Sequence, residues 1–200
     1  MRTLTLDQAK SARRKALQNA RELVEEAELL LDHKRWARAL FLCQIAGEEI
    51  GKYILLNSVV VCMIAGDVIN WTRLWKRLTS HQEKLELVTF VEDMFLERPL
   101  PDQSEKYKEE LEAEVRVLEQ GKQKSLYCDF TGEMPHLPSE VIGEDMARNA
   151  LKWAKGRIQM FSQMEEEWEK AGILEKISKA DIVRFRDKFH LTRLFQRGGC

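Results

Sequence analysis

The sequence predicts an all-α fold, an up-and-down four-helix bundle with additional C-terminal helices. Apolar residues recur at helical spacing through most of the 200 residues. The stretch 39–65, ALFLCQIAGEEIGKYILLNSVVVCMIA, is apolar nearly all round, as befits a helix at the centre of a packed bundle. Pro99, Pro101, Pro135 and Pro138 fall in breaks between helical stretches, where they interrupt no helix interior.

The first helix is expected from Thr5 or Asp7 to about Asp32, on a stripe that includes Leu6, Ala9, Ala16, Ala20, Val24, Ala27 and Leu31. Its other face, with Arg13, Arg14, Lys15, Arg21, Glu25 and Glu28, reads as a solvated surface. The short turn Asp32–Lys34 implies an antiparallel return. The second helix starts near Trp36 and stops at Gly66-Asp67. A short segment, Trp71–Leu78, precedes a third long helix from His81 to about Leu96, for which Thr79 or Ser80 is the N-cap. After the proline break, a fourth helix runs from Ser104 to about Gln120. Residues 121–124 lead into an extended aromatic piece, Ser125–Phe130, and residues 131–138 read as irregular. Ser139 caps a helix reaching about Lys170, and a basic amphipathic helix, Lys179–Phe195, ends the pattern. The domain division that follows is 1–124 for the bundle and 125–200 for a C-terminal extension packed on it.

Composition narrows the function. A net charge of −1 and a pI near 6.5 lack the global basic signature of many nucleic-acid binders. Cys43, Cys62, Cys128 and Cys200 have no CxxC spacing and read as reduced thiols of a cytoplasmic protein. His33, His81, His136 and His190 show no metal-ligand spacing, so no metal and no cofactor are expected. Residues 1–15 are basic and amphipathic, with no apolar core of a signal peptide. The most membrane-like segment, Tyr53–Ala65, is short of the roughly 20 residues a span needs, so no membrane partner is expected.

Two local features stand out. Inside the apolar second helix, Glu48, Glu49 and Lys52 sit together, and buried charges must be paired or face something functional. Gln44, Glu48, Gly51, Lys52 and Ser58 share one side, and Glu49 lies at its border. Gly47 and Gly51 thin the helix there and point to a close neighbour, a second chain included. The plainer alternative is an i,i+4 pair between Glu48 and Lys52. Further on, Lys76, Arg77, His81 and Lys84 crowd a helix start, which already attracts anions, and make a phosphate-binding locus. Against this stands the ordinary use of a histidine as a cap or surface residue.

Together, the run Ala46-Gly47-Glu48-Glu49-Ile50-Gly51-Lys52, the Trp-Lys-rich turn and His81-x-x-Lys84 resemble the AbiV abortive-infection proteins of the HEPN superfamily. The segment Lys124–Phe130 is similar to a downstream element of that family, and the likeness spans roughly Lys10 to Ala154. The resemblance implies a four-helix bundle that forms a homodimer, often a metal-independent endoribonuclease used against phage. It implies RNA or the translation machinery as target and a phage-encoded activator protein as a further partner. The family site pairs an arginine with a downstream histidine. Here Arg77 lies closer to His81 than that motif places it, and Lys76 has the spacing with a lysine.

On this reading His81 moves protons, Arg77 neutralises phosphate, and Glu48 or Glu49 orients His81 or holds Arg77. Lys52, Lys76 and Lys84 bind RNA or phosphate. Two alternatives stand beside it. One is a non-catalytic HEPN-like module that binds a protein or nucleotide. The other is a helical interaction protein whose basic C-terminal helix contacts nucleic acid or an acidic partner. Trp36, Trp71, Trp75 and Trp153 offer base-stacking surfaces in principle, although aromatic residues more usually serve cores and interfaces.

Overall fold

A computed structural model describes residues 2–95, 105–128, 130 and 134–188. Every element in its order is an α-helix, as the periodicity requires.

Helix α1 (Leu6–Asp32) begins in a reciprocal cap. The Thr5 hydroxyl accepts from the Gln8 N–H at 3.2 Å, and the Gln8 side chain accepts from the Thr5 N–H at 2.9 Å. The chain reverses through Lys34, at φ 58°, into α2 (Trp36–Ala65), which ends at Gly66 with φ 75°. A left-handed conformation costs glycine little, which is why it closes this helix. Asn70 caps α3 (Trp71–Thr79). Ser80, in extended conformation, separates α3 from α4 (His81–Phe95) and accepts from the Glu83 N–H at 3.3 Å. Helix α5 is Glu105–Leu126. The short α6 (Pro138–Val141) precedes α7 (Glu144–Ala171), α8 (Ile173–Lys176) and α9 (Lys179–Lys188).

Two sequence expectations shift. The fourth helix does not stop at Gln120: α5 runs through Gly121, so Lys122 and Ser125 are helical rather than loop residues. Ser139 lies inside α6, and the long helix starts after Gly143. The far part of the expected C-terminal helix, 189–195, lies outside the described residues.

Helix α2 is the hub. α1 packs along it, and α7, α4 and α5 enclose its remaining sides. The main core joins Leu17, Ala20 and Val24 of α1, Ile50, Tyr53 and Leu55 of α2, Val88 of α4, and Leu151 and Phe161 of α7. That core continues across the 124/125 division, because α7 shares it. A second cluster closes the other end, where Val59 and Val60 meet Leu74 and Leu174. Trp36 packs against the main core and Trp71 against the second cluster, whereas Trp153 is exposed. Burial pushes the Cys43 thiol up to about 12, which leaves it inert at neutral pH. Cys43 and Cys128 are free thiols.

Gly51 explains how α4 comes so near. A Cβ on Gly51 would meet the Lys84 carbonyl oxygen at 2.6 Å and the Lys84 Cβ at 2.7 Å. The close neighbour at this glycine is therefore α4 of the same chain. A Cβ on Gly47 would meet the end of the Arg157 side chain at 3.4 Å. Arg157 itself is held by a fork of hydrogen bonds to Glu92, at 2.6 and 2.8 Å, which ties α7 to α4.

Arg13, expected on the solvated face, is fully buried. Its guanidinium pairs with Glu165 of α7, and the Tyr53 hydroxyl donates to the same carboxylate oxygen at 2.9 Å. The outer positions Arg14, Lys15 and Glu25 do face solvent. Burial raises the Tyr53 phenol above its ordinary value, so it stays a donor.

These contacts give two expectations. Gly51→Ala forces α4 outward and lowers stability by about 1–3 kcal/mol. Gly47→Ala, which meets only a side-chain end, is near neutral once its helix-propensity gain is included. Thermal melts of the two variants check this, and equal losses would contradict it. Glu165→Ala strands the buried Arg13 and costs about 3–5 kcal/mol, while the paired change Arg13→Met with Glu165→Leu recovers most of it. Urea denaturation of the single and double variants reads that difference.

Candidate functional site

Glu48 lies midway along α2 and is 3% exposed. At that depth an ionised carboxylate needs compensation. It receives it from two other helices. Oε2 accepts from Lys84 Nζ at 3.0 Å and is 2.5 Å from His81 Nδ1. Oε1 accepts from Lys122 Nζ at 2.8 Å. Lys84 and Lys122 are themselves buried, so their ammonium groups need Glu48 as much as it needs them.

The local sequence places each group. Gly51 lets the first turn of α4 lie against α2, which brings Lys84 onto the carboxylate. The Ser80 cap starts α4 at His81, one turn before Lys84, so both side chains share a face. On α5, the Ser125 hydroxyl donates to the Lys122 carbonyl at 2.7 Å, a buried contact that secures the last turn.

Burial alone would raise the Glu48 carboxyl, but the bonds from Lys122, His81 and Lys84 outweigh it and hold the group below its ordinary value. An ionised carboxylate has no proton to give, so the hydrogen between it and His81 belongs to Nδ1. In the neutral ring Nε2 then carries a free lone pair. The His81 side chain is 53% exposed, with its Nδ1 side turned inward on Glu48. The arrangement is a fixed imidazole with its basic nitrogen open to solvent, backed by a carboxylate and two lysines.

The remaining sequence-selected residues fall nearby in different relations. Lys52 pairs with Glu49, not with Glu48, so the i,i+4 alternative does not hold. Glu49 neither orients His81 nor holds Arg77. Arg77 is buried and donates from Nε to Glu83 at 2.6 Å. Lys76 lies on the exposed side of α3. Lys84, read as a phosphate ligand, is turned inward onto Glu48. Of the cations at the start of α4, Arg77, His81 and Lys84 are thus engaged by carboxylates, and Lys76 is exposed. Among the described residues, no group of three or more His, Cys, Asp or Glu is placed to hold a metal ion. Nor is any helix among them long and apolar enough to cross a membrane.

Lys122 does not stand out in the sequence, because Gly121 before a polar run reads as the start of a loop. A signal was present: Val115, Leu118, Lys122 and Ser125 follow helical spacing straight through the glycine.

The lowered Glu48 carboxyl fixes a pH dependence. In the unfolded chain Glu48 titrates near its ordinary value, about 4.3. Its stabilisation is complete above that value and is lost as pH falls through the lower folded one. Wild type and Glu48→Gln compared by urea denaturation from about pH 7 to about pH 3 should therefore converge toward the acid end. A stability difference that stayed constant with pH would show that folding does not lower the Glu48 carboxyl.

No curated protein and no solved structure matches the chain. A family profile, HEPN_AbiV, described as AbiV, matches residues 8–159. That span contains all but the start of α1, the whole of α2 to α6 and more than half of α7, and with them Glu48, His81, Lys84 and Lys122. The all-α bundle agrees with it, and the chain belongs to the AbiV family of HEPN proteins.

Proposed function

We propose that this protein is an abortive-infection effector of phage defence, acting in the cytoplasm on RNA or the translation machinery through His81. Family membership supports the biological role. The observation that supports the chemistry is the His81 ring, bound through Nδ1 to a buried carboxylate and exposed at Nε2. In RNA the adjacent 2′-hydroxyl serves as nucleophile. Nε2 takes its proton as the 2′-oxygen bonds to phosphorus. The bond to the 5′-oxygen breaks, and the same proton is returned to that leaving oxygen. The products are a 2′,3′-cyclic phosphate and a 5′-hydroxyl. Lys76, on the exposed side of α3, supplies positive charge toward the phosphate. The reading includes a homodimer and a phage-encoded activator, as the family resemblance implies.

A second reading has its own support. Arg77 is committed to Glu83, and Lys84 and Lys122 to Glu48, so these cations are engaged within the fold. That favours a non-catalytic HEPN-like module in which the cluster is a structural tie and the surface binds a protein or nucleotide.

Expression of wild type and His81→Ala, with and without phage, separates the two. Growth and RNA integrity are scored together, and circular dichroism checks the fold. The catalytic reading expects a loss of about 100-fold or more in RNA cleavage, with growth arrest abolished. Full arrest and intact cleavage by a folded His81→Ala protein would leave the binding-module reading.

A further inference from the structure

The site holds more positive charge than its carboxylate balances. Lys84 and Lys122 bring two ammonium groups to one Glu48, so the trio is cationic before His81 takes up any proton. Several neighbouring charges among the described residues meet a partner of opposite sign. On α2 Lys52 meets Glu49, between α3 and α4 Arg77 meets Glu83, and between α7 and α4 Arg157 meets Glu92. The imbalance thus comes from the lysines on Glu48.

The two lysines are not equivalent. Lys84 shares Oε2 with His81, one turn along the same helix. Lys122 arrives on a different helix and occupies Oε1, the oxygen that His81 does not use. It therefore fixes the far side of the carboxylate and sets which lone pair is turned toward the imidazole. It also withdraws charge from Glu48 that would otherwise act on a protonated ring. With Lys122 removed, Glu48 and Lys84 cancel, and a proton on His81 is added to a neutral pair instead of a cationic trio.

We propose that Lys122 is a positioning residue for His81, acting through Glu48: it holds the carboxylate in register and sets the charge that the imidazole faces. This deepens the reading of His81 as the reacting base and rests on it, but its test does not need RNA.

The test is a proton NMR titration of the His81 ring in the full-length protein. Lys122→Met should move the His81 midpoint upward by about one unit, the low end expected when a compensating charge near a half-exposed group changes. Lys122→Gln keeps a hydrogen-bond donor but drops the charge, and should move it in the same direction if the Met variant does not fold. Lys122→Arg, which retains the charge, should stay near wild type. Lys124→Met, at an exposed neighbouring position, should leave the midpoint unchanged. A wild-type midpoint in folded Lys122→Met or Lys122→Gln, or an equal shift in Lys124→Met, would overturn the proposal. If the shift appears but His81→Ala still cleaves RNA, the coupling stands and the ribonuclease reading falls.

Discussion

Glu48 sits midway along the most enclosed helix of the bundle, and its ionised carboxylate dictates what can pack there. An apolar neighbour would leave the charge uncompensated, at a cost of several kcal/mol. The helices that close over it therefore bring cations. α4 brings His81 and Lys84, and α5 brings Lys122. The same requirement fixes the approach of α4. A lysine whose ammonium must reach a carboxylate inside α2 needs its backbone close to that helix, and Gly51 leaves the room for it. Glycine in a helix interior lowers stability by about 1 kcal/mol. Here the loss is offset by the contact that the missing Cβ permits.

The molecule contains a second buried ion cluster, and comparing the two shows what makes one of them a candidate for chemistry. Arg13, Glu165 and Tyr53 join α1, α2 and α7. Arg13 is wholly enclosed, and its Nε and Nη2 find no partner among the described residues. Tyr53 is fully buried and is held as a donor by that burial. No member of this group faces solvent, so it ties helices together. The Glu48 cluster differs in one member. His81 is half in water, and its two nitrogens meet different surroundings, one a buried carboxylate and the other solvent. That asymmetry is what a proton-transfer group needs.

Most of the fold was legible because its signals are local. The start at Thr5 or Asp7, the Gly66 stop and the cap at Thr79 or Ser80 are short patterns with a direct physical meaning, and the helices begin or end close to them. The facing of Glu48 and His81 could be anticipated because a buried carboxylate leaves few options. Two kinds of residue were missed. Arg13 follows the charges of the outer face in sequence, yet its partner Glu165 lies far along the chain, and helical periodicity carries no information about so distant a pair. Lys122 was lost because a glycine before a polar run resembles a loop. Gly121 is tolerated since the turn around it is held from both ends, by Val115 in the core and by Ser125 on the Lys122 carbonyl. Tertiary packing overrode propensity at that point.

The place of arginine in the site follows from the break at Ser80. If α3 and α4 were one helix, Arg77 would lie one turn before His81, on the same face. Ser80 is extended instead, so the two residues belong to different helices with different directions. Arg77 then meets Glu83, on α4 just beyond His81, to which its Nε donates at 2.6 Å. What stands beside the imidazole is a pair of lysines anchored on its own carboxylate. A compact ammonium suits that position better than a guanidinium, because Glu48 offers each lysine one oxygen and shares the other with histidine. The short spacing between Arg77 and His81 therefore does not deprive the ring of positive surroundings. It moves their source from the flanking turn to α4 and α5, which meet at the same carboxylate.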